Sequence, residues 1–217
     1  MLGFVTAQIA LREALRDVVG PAARVHGFSG SGGNWRRSNA LGDWAIVNVQ
    51  SSSFSNRERL RCVINLSLAP RPWLDWQERT LGRLPKPIPE SLGLYRGRLH
   101  PAGAPPGSDG WWEITGRRDS AVAVRDMAAR LADDGWPFLT ALLDRERMTE
   151  QIRSRDLGFI RGDENAGYLA RAEAAMLSEH GRSDELDRLL ETVATEPQRE
   201  NAMEFVRWAR ERTGTRR

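Results

Sequence analysis

Side-chain amides in the middle of two predicted β-strands are the residues whose type and spacing best suggest chemistry. Asn48 and Gln50 lie in the segment 44–50, and Asn65 lies in the segment 61–68. Strand side chains alternate between the two faces of a sheet, so these three amides share one face. A polar group buried without a hydrogen-bond partner costs roughly 1–3 kcal/mol. The amides therefore predict either an internal hydrogen-bond network or an open groove that binds a polar or acidic partner.

Aromatic and basic side chains extend this face if consecutive strands pair in a meander. Guanidinium groups bind carboxylates and phosphates, and indole rings stack on nucleic-acid bases. The predicted binding residues are Trp35, Arg37, Trp44, Asn48, Gln50, Asn65, Arg96, Arg98 and Trp112.

These residues leave three functions open. The first, which we favour, is a non-enzymatic binding or interaction module of an immunity or regulatory type, whose polar sheet face engages a protein partner. The second is a nucleic-acid-binding protein that uses the tryptophans for stacking and the arginines for phosphate contacts. The third is an enzyme of unknown reaction that orients a polar substrate with the amides. Salt dependence separates the first two, because nucleic-acid binding releases counterions and weakens steeply with salt.

The sequence contains no recognisable catalytic or metal-binding motif. His26, His100 and His180 are far apart and lack the spacing of metal ligands. No G-x-S-x-G elbow is present, and Cys62 falls on the predicted core face, where a thiol acts as a small hydrophobe. We therefore expect no catalytic residue, no metal and no cofactor, and we favour binding over catalysis.

The charged residues are nearly balanced, with 32 basic and 29 acidic side chains and a net charge of +3. Lys86 is the single lysine, a bias that a GC-rich coding sequence explains as well as a ligand does. Because the charges do not cluster along the sequence, they favour a protein partner over nucleic acid. No apolar run approaches the about 18 residues of a membrane span, and no signal-peptide pattern opens the sequence. We expect no membrane partner and a cytoplasmic location.

The pattern of apolar residues predicts an α+β fold with an antiparallel sheet of four to six strands within residues 24–116. Two-residue alternation marks the strands, and Pro70 ends the second amide-bearing strand because proline cannot donate to a ladder. Val47, Ile64 and Leu66 fall on the side opposite the amides. We expect these three residues to be almost fully buried.

Helical periodicity appears before and after the strands. It predicts helices over 4–19 and 119–134, packed on one face of the sheet. The first helix is predicted to end at Gly20 and Pro21, and the second at Gly135.

The last third of the chain, from 148 to 217, is helical in pattern throughout. Ser183 is a predicted N-cap within it, and Gly158 lies where a boundary would fall. The sequence therefore predicts an α+β domain over 1–156 and a helical appendage over 157–217.

Short motifs in a fixed order add a family resemblance. They are Gly27-Phe28, Gly33-Asn-Trp35-Arg-Arg37, Val47-Asn-Val-Gln50, Val63-Ile-Asn-Leu66 and Trp136-Pro-Phe138. In this order the chain resembles the DUF4304 family of uncharacterised bacterial proteins, over roughly residues 7–155. The family has no assigned chemistry, so the resemblance implies no catalytic residue.

Overall fold

The computed structural model describes residues 6–56, 59–105 and 110–214. Within these ranges six strands form one antiparallel sheet, which confirms the predicted α+β class and the sheet type. The strands are β1 (Ser29–Ser31), β2 (Asn34–Ser38), β3 (Trp44–Ser51), β4 (Leu60–Ala69), β5 (Tyr95–Leu99) and β6 (Trp112–Ile114).

Strand order follows chain order from β1 to β5, and β6 returns to pair with β4. The ten-residue strand β4 is therefore the centre of the sheet, since it pairs with β3, β5 and β6. In the β4–β6 pair, Leu60 lies opposite Ile114 and Cys62 lies opposite Trp112. The predicted meander is present, with β6 as its one departure among the described strands.

The Gly/Ser run forms the turn between β1 and β2. Gly30 has a φ of +140°, and a Cβ added there would lie 2.0 Å from the carbonyl oxygen of Asn34. Only glycine tolerates this conformation and this close approach of two backbones.

Nine α-helices lie in the described ranges. They are α1 (Ala7–Ala14), α2 (Gly20–Val25), α3 (Arg71–Leu81), α4 (Arg117–Arg130), α5 (Trp136–Leu142), α6 (Arg145–Arg153), α7 (Ala166–Leu177), α8 (Asp184–Ala194) and α9 (Arg199–Gly214).

Two predicted helix ends are wrong, because a π-helical turn carries the helix past each of them. The turn Leu15–Val19 joins α1 to α2, so Pro21 lies inside a continuous helix and does not end it. The turn Leu131–Gly135 joins α4 to α5 in the same way. Gly135 allows close packing there, since a Cβ at this position would lie 2.8 Å from Leu131 Cδ2.

The chain divides into two compact units, each assembled from separate stretches of sequence. Unit 1 contains Met1–Ser38, Ala45–Ser67 and Gly97–Ala141, and unit 2 contains Asn39–Trp44, Leu68–Arg96 and Leu142–Arg217. The boundary near residue 156 stays a prediction.

The three residues predicted for the core are buried in unit 1. Val47, Ile64 and Leu66 are each at most 3% exposed, as predicted. In this unit α1 packs against α4, and α4 packs against β6. Residues Cys62 to Ala69 of β4 are buried without alternation, so both faces of this strand are covered.

Aromatic side chains hold the helices of unit 2 together. The ring of Trp76 on α3 lies 5.1 Å from that of Phe205 and 5.6 Å from that of Trp208, both on α9. The predicted cap at Ser183 is confirmed, because its Oγ accepts the backbone N–H of Leu186 at 3.1 Å.

A buried cluster of charged side chains also lies in unit 2. The carboxylate of Asp43 is buried and accepts two hydrogen bonds from Arg145, each of 2.7 Å. It also accepts the backbone N–H of Arg71 at 2.7 Å, in the first turn of α3. Arg145 pairs with Glu179, and Arg212 lies 3.2 Å from the same glutamate. Charged hydrogen bonds thus join the loop before β3 to α3, α6 and α9.

Candidate functional site

Asn65, in the middle of β4, is the centre of a hydrogen-bonded row of side chains in unit 1. Its Nδ2 donates to Oε1 of Gln50 at 2.7 Å and to Oδ1 of Asn48 at 3.3 Å. Its Oδ1 accepts a hydrogen bond from Nε of Arg98 at 3.2 Å. Because Asn65 is only 2% exposed, these bonds replace the water that it loses on folding.

The row continues outward from Asn65 and becomes accessible to solvent. Asn48 Nδ2 donates to Oδ1 of Asn34 on β2 at 2.8 Å. Asn34, Asn48 and Arg98 are half-buried, and Gln50 is exposed. The sheet therefore presents a continuous polar strip that crosses β2, β3, β4 and β5.

Two arginines flank the indole ring of Trp111 beside this strip. The guanidinium carbon of Arg61 lies 5.7 Å from the ring centroid, and that of Arg98 lies 5.8 Å from it. Both distances are within the range of cation–π attraction. Trp111 thus holds two positive charges close together at the end of the amide row.

Glu113 is an acidic residue of this cluster. Arg59 donates to its Oε2 from Nε at 3.2 Å and also from Nη2. Arg61 Nε lies 3.2 Å from its Oε1, at an angle that makes no hydrogen bond. The hydrogen bonds from Arg59 lower the pKa of the Glu113 carboxyl, so it stays ionised. We call the following set the polar face: Asn34, Asn48, Gln50, Arg61, Asn65, Arg98, Trp111 and Glu113.

A family model described as "Domain of unknown function (DUF4304)" matches residues 19–141. The chain belongs to the DUF4304 family. The match is narrower than the resemblance over 7–155, and it contains every residue of the polar face. No curated protein matches the chain, and no solved structure matches it.

Three predicted site residues of this DUF4304 protein lie elsewhere in unit 1. Trp35 and Trp112 are buried, and the Nε1 of Trp112 donates to Asp126 at 2.7 Å. Arg37 donates from Nη1 to the carbonyl of His26 at 3.1 Å and to Oγ1 of Thr140 at 3.3 Å. All three sit away from the amide row, in contacts that hold the unit together.

Two further predicted residues belong to unit 2. Trp44 is half-buried at the start of β3. Arg96 is half-buried, lies 3.4 Å from Glu90, and has its guanidinium 5.6 Å from the ring centroid of Phe159. Of the nine predicted residues, the polar face thus brings together Asn48, Gln50, Asn65 and Arg98.

Half of the polar face is absent from the predicted set. Arg61 could have been found, because it shares a face with Asn65 four residues along the same strand. Glu113 lies opposite Arg61 only through the β4–β6 pairing, and Trp111 is placed by the same pairing. Asn34 was missed because it follows a Gly-rich run that is typical of a turn.

The described part of the DUF4304 chain holds no group of three or more His, Cys, Asp or Glu side chains able to bind a metal ion. In the same part, no helix is both long and apolar enough to cross a bilayer. Burial raises the pKa of the Cys62 thiol to about 12. Such a thiol is protonated at neutral pH and is a poor nucleophile.

Proposed function

We propose that this DUF4304 protein is a non-enzymatic binding module whose polar face binds an acidic segment of a protein partner. The observation that carries the proposal is the pair of arginines, Arg61 and Arg98, whose guanidinium groups both lie over the ring of Trp111 beside the polar strip. A cytoplasmic immunity-type or regulatory protein would use such a face to hold its target.

The basic side chains of the cluster support an acidic ligand. Among the described residues, Arg59, Arg61 and Arg98 meet here beside Glu113. A guanidinium group forms paired hydrogen bonds with a carboxylate, which fixes orientation as well as strengthening the contact.

The amide row supports a rigid receptor surface. Arg98 is oriented by Asn65 and by the ring of Trp111, so little rotamer freedom is lost when a ligand binds. Half-buried amides at Asn34 and Asn48, with the exposed amide of Gln50, offer donors and acceptors that match a polypeptide backbone.

Nucleic acid is the weaker alternative for this face. Base stacking needs accessible aromatic rings, and the rings of Trp35 and Trp112 are buried. The indole of Trp111 is half-buried, and two guanidinium groups lie over its ring.

The test is selection of peptides from a random displayed library on the wild-type protein. We expect the selected peptides to be rich in Asp and Glu. They should bind the double variant Arg61→Gln with Arg98→Gln at least about tenfold more weakly, because one hydrogen bond to a charged group contributes about 1.5–3 kcal/mol. The matched control is Arg16→Gln with Arg117→Gln, two arginines that are each 68% exposed on the helices of unit 1.

Two outcomes would contradict the proposal. One is a set of selected peptides that are not acidic or that bind the double variant as tightly as the wild type. The other is a single-stranded oligonucleotide that binds this face with an affinity falling steeply between about 50 and 200 mM salt, which is the signature of phosphate recognition.

A further inference from the structure

Unit 2 contains a cavity of about 270 Å³ next to β5. Its apolar lining includes Leu94 and Leu157, which are at most 1% exposed, and Trp73, which is also buried. One water molecule occupies about 30 Å³ in the liquid, so the cavity has room for about nine molecules of that size. This volume suits a small organic molecule.

Two aromatic side chains form one wall of this cavity. The rings of Trp73 and Tyr168 meet edge to face, with their centroids 5.5 Å apart. Burial raises the pKa of the Tyr168 hydroxyl to about 12, so it stays neutral at physiological pH. This wall favours the apolar or aromatic body of a ligand.

Arg96 supplies the positive charge of the cavity. Its backbone is fixed, since its N–H donates to Leu157 at 3.1 Å and its carbonyl accepts the N–H of Phe159 at 2.7 Å. Its Nη2 lies 3.4 Å from Oε1 of Glu90, at the long limit of a hydrogen bond. Its Nε is buried and has no hydrogen-bond partner among the described residues. That atom is closed to solvent, so a ligand oxygen would meet the terminal nitrogens of the guanidinium group, since Arg96 lines the cavity and its side chain is 39% exposed.

We infer that this cavity binds a small organic monocarboxylate. The carboxylate contacts Arg96, and the apolar body lies against Trp73 and Tyr168. Glu90 competes with the ligand for the same guanidinium group, so it limits the affinity of the site. The inference goes beyond the proposed function, because the polar face belongs to unit 1 and shares no residue with this cavity.

The experiment uses the full chain and three probes: benzoate, phenylacetate and hexanoate. Each acid is compared with its neutral amide by ligand-observed NMR and calorimetry. We expect at least one acid to bind saturably with a dissociation constant of roughly 1 mM or below, and its amide to bind at least about tenfold more weakly.

Two variants with opposite expected effects make the test specific. Arg96→Gln should weaken binding of the acid at least about tenfold, because it removes the charged contact. Glu90→Gln should tighten binding about threefold or more, because it removes the competing carboxylate. Arg147→Gln, an exposed arginine of α6 outside the cavity, should leave the affinity unchanged.

The inference is overturned if none of the three acids binds, if acid and amide bind equally, or if a folded Arg96→Gln protein keeps the wild-type affinity. If that variant does not fold, the acid–amide comparison and Glu90→Gln still decide the matter. The polar-face variants should leave binding of the acid unchanged, so failure here and failure of the proposed function are distinguishable.

Discussion

At the scale of the residue, Asn65 shows how a polar side chain is kept inside a buried strand. Its amide is bonded to Gln50, Asn48 and Arg98, and each of those partners reaches toward solvent. The centre of the row therefore acts as an internal network, while its outer members remain available to a ligand. The internal network thus accounts for Asn65, and a groove formed by the outer members of the row stays a prediction.

We predict that Asn65→Ala lowers the free energy of unfolding by about 1–3 kcal/mol, because it removes the hydrogen bonds that Asn65 makes inside the sheet to Gln50, Asn48 and Arg98. Gln50→Ala should cost less, since Gln50 is exposed and water can replace its bond. Urea denaturation of the two variants and of Asn48→Ala with Asn65→Ala measures both effects. An unchanged midpoint for Asn65→Ala would show that the row contributes no stability.

At the scale of the element, helices in unit 2 are joined by charged hydrogen bonds as well as by apolar packing. Asp43 precedes β3 in the chain, yet its carboxylate caps the first turn of α3 through the N–H of Arg71. The same carboxylate receives both hydrogen bonds from Arg145 on α6. Anions near a helix N-terminus are favourable, so one side chain stabilises two elements at once.

We predict that Asp43→Ala lowers the free energy of unfolding by at least about 1.5–3 kcal/mol, because it removes two charged hydrogen bonds from Arg145 and the bond to the backbone N–H of Arg71. Arg145 keeps its ion pair with Glu179. The double variant with Arg145→Met should cost less than the sum of the two single changes, because both changes remove the same pair of hydrogen bonds. Thermal and urea unfolding of the wild type, the two single variants and the double variant gives the coupling free energy between Asp43 and Arg145.

The matched control is Arg153→Met, which removes a half-exposed arginine paired with Glu173 and Glu185 in the same unit. Exposed ion pairs contribute about 0–1 kcal/mol, so this variant should melt close to the wild type. If Arg153→Met and Asp43→Ala lower the free energy of unfolding equally, the buried pair of Asp43 and Arg145 stabilises the protein no more than an exposed ion pair does.

At the scale of the whole molecule, unit 2 is discontinuous in sequence. It combines residues 68–96 with the C-terminal helices, and those helices supply the ring contacts of Trp76. Arg212, near the C-terminus, also pairs with Asp75 on α3. The side chains that pack α3 within unit 2 therefore lie largely beyond residue 156.

We predict that a chain ending at residue 156 loses the fixed packing of α3, because Phe205 and Trp208 no longer cover Trp76. The expected result is a weaker near-ultraviolet circular dichroism signal from tryptophan and binding of a dye that recognises exposed apolar surface. A chain ending at Gly214, the last residue of α9, is the control. A cooperative transition with an unchanged tryptophan signal in the shorter chain would instead support an independent domain over 1–156.

The sequence by itself determined the fold class, the positions of the central strands and the face on which each of their side chains lies. These features follow from local rules, because side chains alternate along any strand, and Val47 and Asn48 must point to opposite sides. The burial of Val47, Ile64 and Leu66 and the shared face of Asn48, Gln50 and Asn65 were predictable for this reason.

Tertiary structure alone decided which side chains meet across that face. Asn34 joins the amide row, and Glu113 lies opposite Arg61, only through strand pairing and register, which depend on contacts between distant parts of the chain. The same long-range packing buries Trp35 and Trp112 and carries the helices through Pro21 and Gly135 by way of π-helical turns. From the sequence, Trp35 and Trp112 were predicted to be accessible to a ligand, and Pro21 and Gly135 were predicted to end helices. The free energy of packing in unit 1 outweighs these local preferences.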